Sequence, residues 1–229
     1  MTIQRYHQIN DYLRRERGVP TYDGPLFEIY VTVRPRSITE ICRRTLALWV
    51  VSLYAEAVPL EEIWSKGVRK DDVWPWTSPL EREFLGTSQP DADEAQSLVW
   101  RIESAWVLLW ALGHIDELDW PIAYCNSDQF ARTMVLAGRD PLSFERASEL
   151  RSVDQLIDAH SLTMRLHWAV NDAYLNHRQI PANLNWLHPS EMIDAAPTLI
   201  GRLVQERHRA LNWLLRQFGE DWDEIEIHT

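Results

Sequence analysis

Glycine is scarce in this chain, eight among 229 residues, about half the usual share of roughly 7%. That shortage argues against a many-turned β protein. Lysine is almost missing too: Lys66 and Lys70 are the two lysines among 23 bases, and the rest are arginine. With 34 acids the net charge is −11, and no stretch gathers bases into the stripe that would release counterions from a phosphate backbone. Nucleic acid is therefore not expected as a partner. Two cysteines, Cys42 and Cys125, allow one bridge at most and read as free thiols of a reducing compartment. Long apolar runs are missing as well. The longest, Thr45–Ala55 and Ser104–Ile115, hold 11 and 12 residues, well under the roughly 18 of a membrane span. They read as core helices, and no membrane association is expected. The first residues, Thr2 to His7, carry no apolar segment of the secretory type. The expectation is a soluble, acidic, cytoplasmic protein.

Signatures of common chemistries are also lacking. The chain has no G-x-G-x-x-G, no P-loop, no G-x-S-x-G elbow, no H-E-x-x-H and no C-x-x-C. Neither a cofactor nor a metal is expected.

What the sequence does have is tryptophan, twelve in all, and strong helix punctuation. Residues 3–16 read as a short helix stopped by Gly18 and Pro20. Ser37 with Glu40 forms a capping box opening a helix to about Ala57. Ser78-Pro79-Leu80-Glu81 starts another, ending near Gly86. Asp91 or Asp93 caps a long helix through Leu112, closed by Gly113. Weaker helices cover 127–137 and 141–150. Ser152 opens the next, to about Asn176, and a last one runs from about Pro189 to Phe218. The fold class is all-α, a single-domain bundle of roughly five to seven helices. An N-terminal helix and irregular arm (1–36) precedes the helical core domain (37–229). A minor two-stranded element is conceivable between 27–33, the one strongly β-branched run, and 224–227.

Charges on otherwise apolar helix faces are the candidate site residues. At 100° per residue, Trp100, Glu103, Trp106, Val107 and Trp110 share a side. An unpaired Glu103 there would have a raised pKa, or would need a buried base or an indole N–H. Asp158, Arg165 and Asp172 form a row with seven-residue spacing. His160 and His167 share a face but lie about 10.5 Å apart along the axis, too far for easy joint metal ligation. Glu206 and His208 are 200° apart and address different neighbouring helices. Glu206 could meet an arginine such as Arg165, and His208 could meet Glu103 or a backbone carbonyl.

Several strings taken together are specific: Arg36-Ser37 with Arg44 and Leu46-Ala47-Leu48; Ser78-Pro79-Leu80-Glu81 with Phe84-Leu85; Trp100-Arg101-Ile102-Glu103 with Leu108-Leu109-Trp110-Ala111-Leu112-Gly113; Arg165-Leu166-His167-Trp168-Ala169 with Asp172-Ala173; Glu206-Arg207-His208-Arg209-Ala210-Leu211-Asn212-Trp213; and Asp221-Trp222-Asp223. From about Arg36 onward the chain resembles an uncharacterised bacterial family, domain of unknown function 4272. The resemblance implies no activity, cofactor or substrate. The chain departs from the family pattern at Ser161 and Met164, where an acid and a tyrosine are usual, which thins the charged row.

Two functional readings follow. In the first, the protein is a binding or protein-interaction module whose polar residues are buried structural pairs. The acidic stretches 91–94, 116–119 and 220–226 are then solvated faces or docking surfaces for a basic partner. In the second, it is an enzyme or small-ligand protein. Its Trp-walled pocket would gather Glu103, Arg165, Asp172, Glu206 and His208 as acid/base and anion-orienting groups, with Trp100, Trp110, His167, Trp168 and Trp213 contacting the ligand. The enzyme reading is the weaker. Exposed tryptophans would also suit a homo-oligomer interface.

Overall fold

The computed structural model describes residues 3–22, 33–65, 67–121, 123–176, 199–217, 219, 221–227 and 229. Every regular element among them is helical: α1 (Ile3–Glu16), α2 (Ile38–Ala55), α3 (Leu60–Ser65), α4 (Lys70–Val73), α5 (Pro79–Gly86), α6 (Ala92–Val99), α7 (Arg101–Ala111), α8 (Ser127–Arg139), α9 (Pro141–Ala147), α10 (Val153–Leu175) and α11 (Leu199–Leu214), with 3-10 turns at Trp74–Trp76 and Trp222–Glu224. The protein is all-α over these residues, with more helices than the five to seven expected. The stretch 58–76, for which the sequence offers no assignment, coils into short α3, α4 and a 3-10 turn. The long helix expected from 91 to 112 is divided at Trp100, whose ψ of −9° interrupts the ladder between α6 and α7.

The helix starts are set by side chains on orphan amides. Ser37 Oγ accepts the Glu40 N–H while Glu40 Oε2 accepts that of Ser37 at 2.8 Å, and Ser78 with Glu81 and Ser152 with Gln155 repeat the reciprocal box. Asp91 accepts from the amides of Asp93 and Glu94. Beyond α7, Gly113 at φ 79° lets the His114 N–H reach back to Leu109 O at 2.9 Å.

Four helices stack in the order α2, α7, α11, α10. The second is buried from Glu103 to Ala111. Leu46, Leu48, Leu108, Leu109, Leu211 and Leu214 belong to the main core. Leu13 and Val19 join Leu166, Ala169, Val170 and Val204 in a second cluster, which seats α1 against α10 and α11. The charged row on α10 also serves this contact. Asp158 pairs with Arg5, and Arg165 Nε donates to Asn10 Oδ1 at 2.6 Å with its guanidinium 4.3 Å from the Tyr6 ring.

Of the expected two-stranded element, residues 27–32 lie outside the described residues. No strand forms at 224–227; the chain there is held by α11 side chains, with Asn212 Nδ2 donating to Glu226 O at 2.8 Å and Arg209 Nη1 to Ile225 O at 3.3 Å. Residues 189–198 and Phe218 of the expected last helix also lie outside the described residues.

One close approach gives a stability prediction. A methyl at Gly138 of α8 would lie 2.6 Å from Val68 Cγ2 and 3.0 Å from Trp49 Cζ3, both on buried side chains. Gly138→Ala is expected to lower the urea midpoint, because overpacking of about 1–3 kcal/mol exceeds a helix-propensity gain of at most about 1 kcal/mol. Gly86→Ala, with nothing within 4 Å of the added methyl, should raise it.

Candidate functional site

α11 distributes its charges between two neighbours. Toward α7, Glu206 receives Arg101 Nη1 on both oxygens, at 2.6 and 2.8 Å, and Ser104 Oγ at 2.7 Å. Burial works against the Glu206 charge, but Arg101, Arg209 and Ser104 outweigh it and hold the carboxyl below its ordinary range. The adjacent Arg207, 4% exposed, reaches fully buried Glu103 from Nη2 at 3.5 Å and donates from Nη1 to Asp119 O at 2.6 Å. Glu103 also accepts the Cys125 N–H at 2.7 Å. Burial nonetheless wins, and the Glu103 carboxyl is shifted upward. This pair is less well made than Arg101–Glu206.

Toward α10, His208 Nδ1 meets His167 Nδ1 at 2.9 Å, so one nitrogen donates and the other accepts. The His160 ring is 5.6 Å from that of His208, and its Nε2 meets Asn212 Oδ1 at 2.5 Å. Burial lowers His160 and His167 to about 4 each. Burial pushes His208 down too, and the two neighbouring imidazoles and Arg209 disfavour a further positive charge on it. All three rings are neutral at pH 7. Among the described residues, no group of three His, Cys, Asp or Glu side chains is placed to hold a metal ion.

The tryptophan and arginine excesses meet in space. Guanidinium carbons lie over indoles at Arg36–Trp213 (4.3 Å), Arg44–Trp222 (4.6 Å), Arg17–Trp120 (4.7 Å) and Arg151–Trp110 (4.9 Å). A planar, weakly hydrated cation stacks on indole where an ammonium would rather stay solvated. Arg44 also pairs with buried Glu81, which ties α2 to α5.

The candidate residues therefore do not converge. Glu103 belongs to Arg207 and Cys125, Glu206 to Arg101, His208 to His167, Arg165 to α1, and Asp172 accepts from Asn176 Nδ2 at 2.9 Å. The pairings of Glu206 with Arg165 and of His208 with Glu103 are corrected: α11 turns those two side chains toward α7 and α10 respectively, beyond each other's reach. Trp100 lies on Tyr124 with ring centroids 5.5 Å apart, Trp168 near Tyr22 at 5.8 Å, and Trp213 on Trp222 at 5.7 Å. None of these three forms part of a cleft with Trp110.

A cleft of about 440 Å³ does open beside Trp110, bounded by the 116–121 segment, α10 and α11. Trp110 and Trp120 form its aromatic walls, Arg151, Arg207 and Thr163 its polar lining, and Asp116, Glu117, Asp119 and Asp158 its acids. Of the ten candidates, Trp110 alone lines it. Sequence reasoning missed Arg151, because a base in the α9–α10 connection has no periodicity to place it; it stacks on Trp110 and donates to Trp110 O and Ile115 O, at 2.8 and 2.7 Å. It also missed the convergence of the histidines, although two on one face of α10 with a third on an inward face of α11 was the available signal.

Cys42 and Cys125 are free thiols. Burial raises both, Cys42 to about 11, so neither is a ready nucleophile at neutral pH. No helix among the described residues is long and apolar enough to cross a membrane.

The fold and cleft define an all-helical protein in which histidines and ion pairs fill the inter-helix seams while an indole-walled depression stays open. The chain belongs to the family described as Domain of unknown function (DUF4272), which it matches over residues 5–225. No curated protein and no solved structure matches it.

Proposed function

We propose that the protein is a binding module and that the Trp110–Trp120 cleft is its binding site. One contrast carries this reading: the acid/base candidates are engaged by protein partners inside the helix stack, while a cleft of about 440 Å³ with two indole walls is left open. Concave, aromatic-lined sites with a few polar groups are where proteins hold small molecules or a partner's side chain.

Ala159 on α10 lines the cleft, so Ala159→Trp places a third indole within it. Saturation-transfer NMR with aromatic fragments, uncharged indole and cationic tyramine among them, should show binding of at least one to the wild-type chain that is lost in A159W, with far-UV circular dichroism unchanged. Fragments bound equally by both chains, or by neither, would refute the assignment.

A further inference from the structure

We infer that the group taken up by the cleft is the guanidinium or ammonium side chain of a basic polypeptide segment, an assignment that rests on the cleft being a binding site. Asp116, Glu117 and Asp119 are exposed on the 116–121 segment, and their carboxylates make no ion pair. Of the four carboxylates in the lining, Asp158 is paired with Arg5, which leaves Asp116, Glu117 and Asp119; of the two guanidiniums, Arg207 is paired with Glu103, and Arg151 is held by backbone carbonyls and the Trp110 ring. A surplus of negative potential therefore faces the opening of a chain whose net charge is −11, which steers cations toward it.

The walls match the same chemistry. Trp110 and Trp120 each already attract a guanidinium of this chain, Arg151 at 4.9 Å and Arg17 at 4.7 Å, so indole–cation stacking is the recognition mode the site is built from. Thr163 supplies the polar element that points to a polypeptide. It is 8% exposed, lies on the cleft wall, and its hydroxyl makes no hydrogen bond to another side chain or carbonyl among the described residues. A backbone amide entering beside the basic side chain would satisfy that hydroxyl, whereas a free polyamine brings no acceptor.

The test is fluorescence anisotropy on the full chain at 50 mM salt, with a labelled Ala-Arg-Ala-Arg-Ala-Arg peptide, its citrulline counterpart and spermidine as competitor. The arginine peptide should bind the wild type. Affinity should fall at least tenfold for the citrulline peptide and for the surface variant D116N/E117Q/D119N, and binding should vanish in A159W. Retention by A159W would reduce the effect to general surface attraction and overturn the proposal. Spermidine competing as well as unlabelled peptide would overturn the polypeptide part. Citrulline peptide or neutral fragments bound as tightly as the arginine peptide, and lost in A159W, would overturn the cationic ligand while leaving the binding module standing. If no probe responds to A159W, both fall.

Discussion

Arg207→Met is expected to destabilise the protein by about 3–5 kcal/mol, the cost of leaving a buried carboxylate without its cation. Glu103 is 0% exposed and Arg207 4%, so water cannot take over the lost role. The pair itself is poorly compensated. It makes one contact at 3.5 Å, Arg207 Nε has no hydrogen-bond partner, and burial raises Glu103 despite Arg207 and the Cys125 amide. The double variant Glu103→Leu/Arg207→Met, which removes both charges and keeps the volume, should therefore return to wild-type stability or exceed it. Arg101–Glu206 provides the opposite case, since two short contacts and Ser104 satisfy its carboxylate. Replacing that pair by Met and Leu should be destabilising, because Arg209, 4.0 Å from the Glu206 carboxylate, loses its counter-ion and Ser104 keeps only the backbone carbonyl of residue 206. Urea unfolding of the four proteins measures this. A double variant no more stable than R207M would show that desolvation of the pair is not the controlling cost.

The starts of α2, α5, α6 and α10 were legible because each carries a side chain that caps it. Ser37, Ser78 and Ser152 all form the reciprocal boxes or N-terminal caps their neighbours suggest. Periodicity also separated Glu206 from His208 correctly, because an angle of 200° cannot face one helix. The partner each residue finds across the interface was not legible. That depends on the axial offset of α7 and α10 against α11, which helix periodicity does not encode. The same gap explains why His160 and His167, judged too far apart to act together, both lie within 6 Å, ring to ring, of a third histidine. The cleft was out of reach for another reason: one side of it comes from the 116–121 segment and Arg151, residues of connections, where helix periodicity does not apply. Tryptophan and arginine abundance, visible at once in the composition, takes on meaning only as the stacks of Arg36, Arg44 and Arg151 on Trp213, Trp222 and Trp110.

The buried histidines should make the protein acid-labile well above the carboxylate range. His160 and His167 are lowered to about 4 in the folded chain, against about 6.5 when unfolded. Folded-state values below unfolded ones mean that between these limits the unfolded chain binds protons the folded chain refuses. Stability is then fully present above about pH 6.5 and is lost as pH falls toward 4. For two such groups the loss between pH 7 and pH 5 is about 4 kcal/mol. His208 adds in the same direction: its desolvation is reinforced by His160, His167 and Arg209, and Arg165 acts likewise on His160. His114, lowered by burial, acts in the same direction and keeps a residual slope in any variant of the other rings, whereas the carboxylates do not mimic this. Glu81 and Glu206 are held low by Arg44 and Arg101 against their burial, so their contribution is lost only as pH falls through the carboxylate range. Raised Glu103 has the opposite sign, favouring the folded state as it protonates. Urea unfolding at pH 7, 6 and 5 should show the decline in the wild type and a flattened profile in His160→Gln/His167→Gln. NMR of the imidazole rings in the folded wild type should show these resonances untitrated down to pH 5. A wild-type stability constant from pH 7 to 5, or rings titrating near 6.5 in the folded protein, would rule the explanation out.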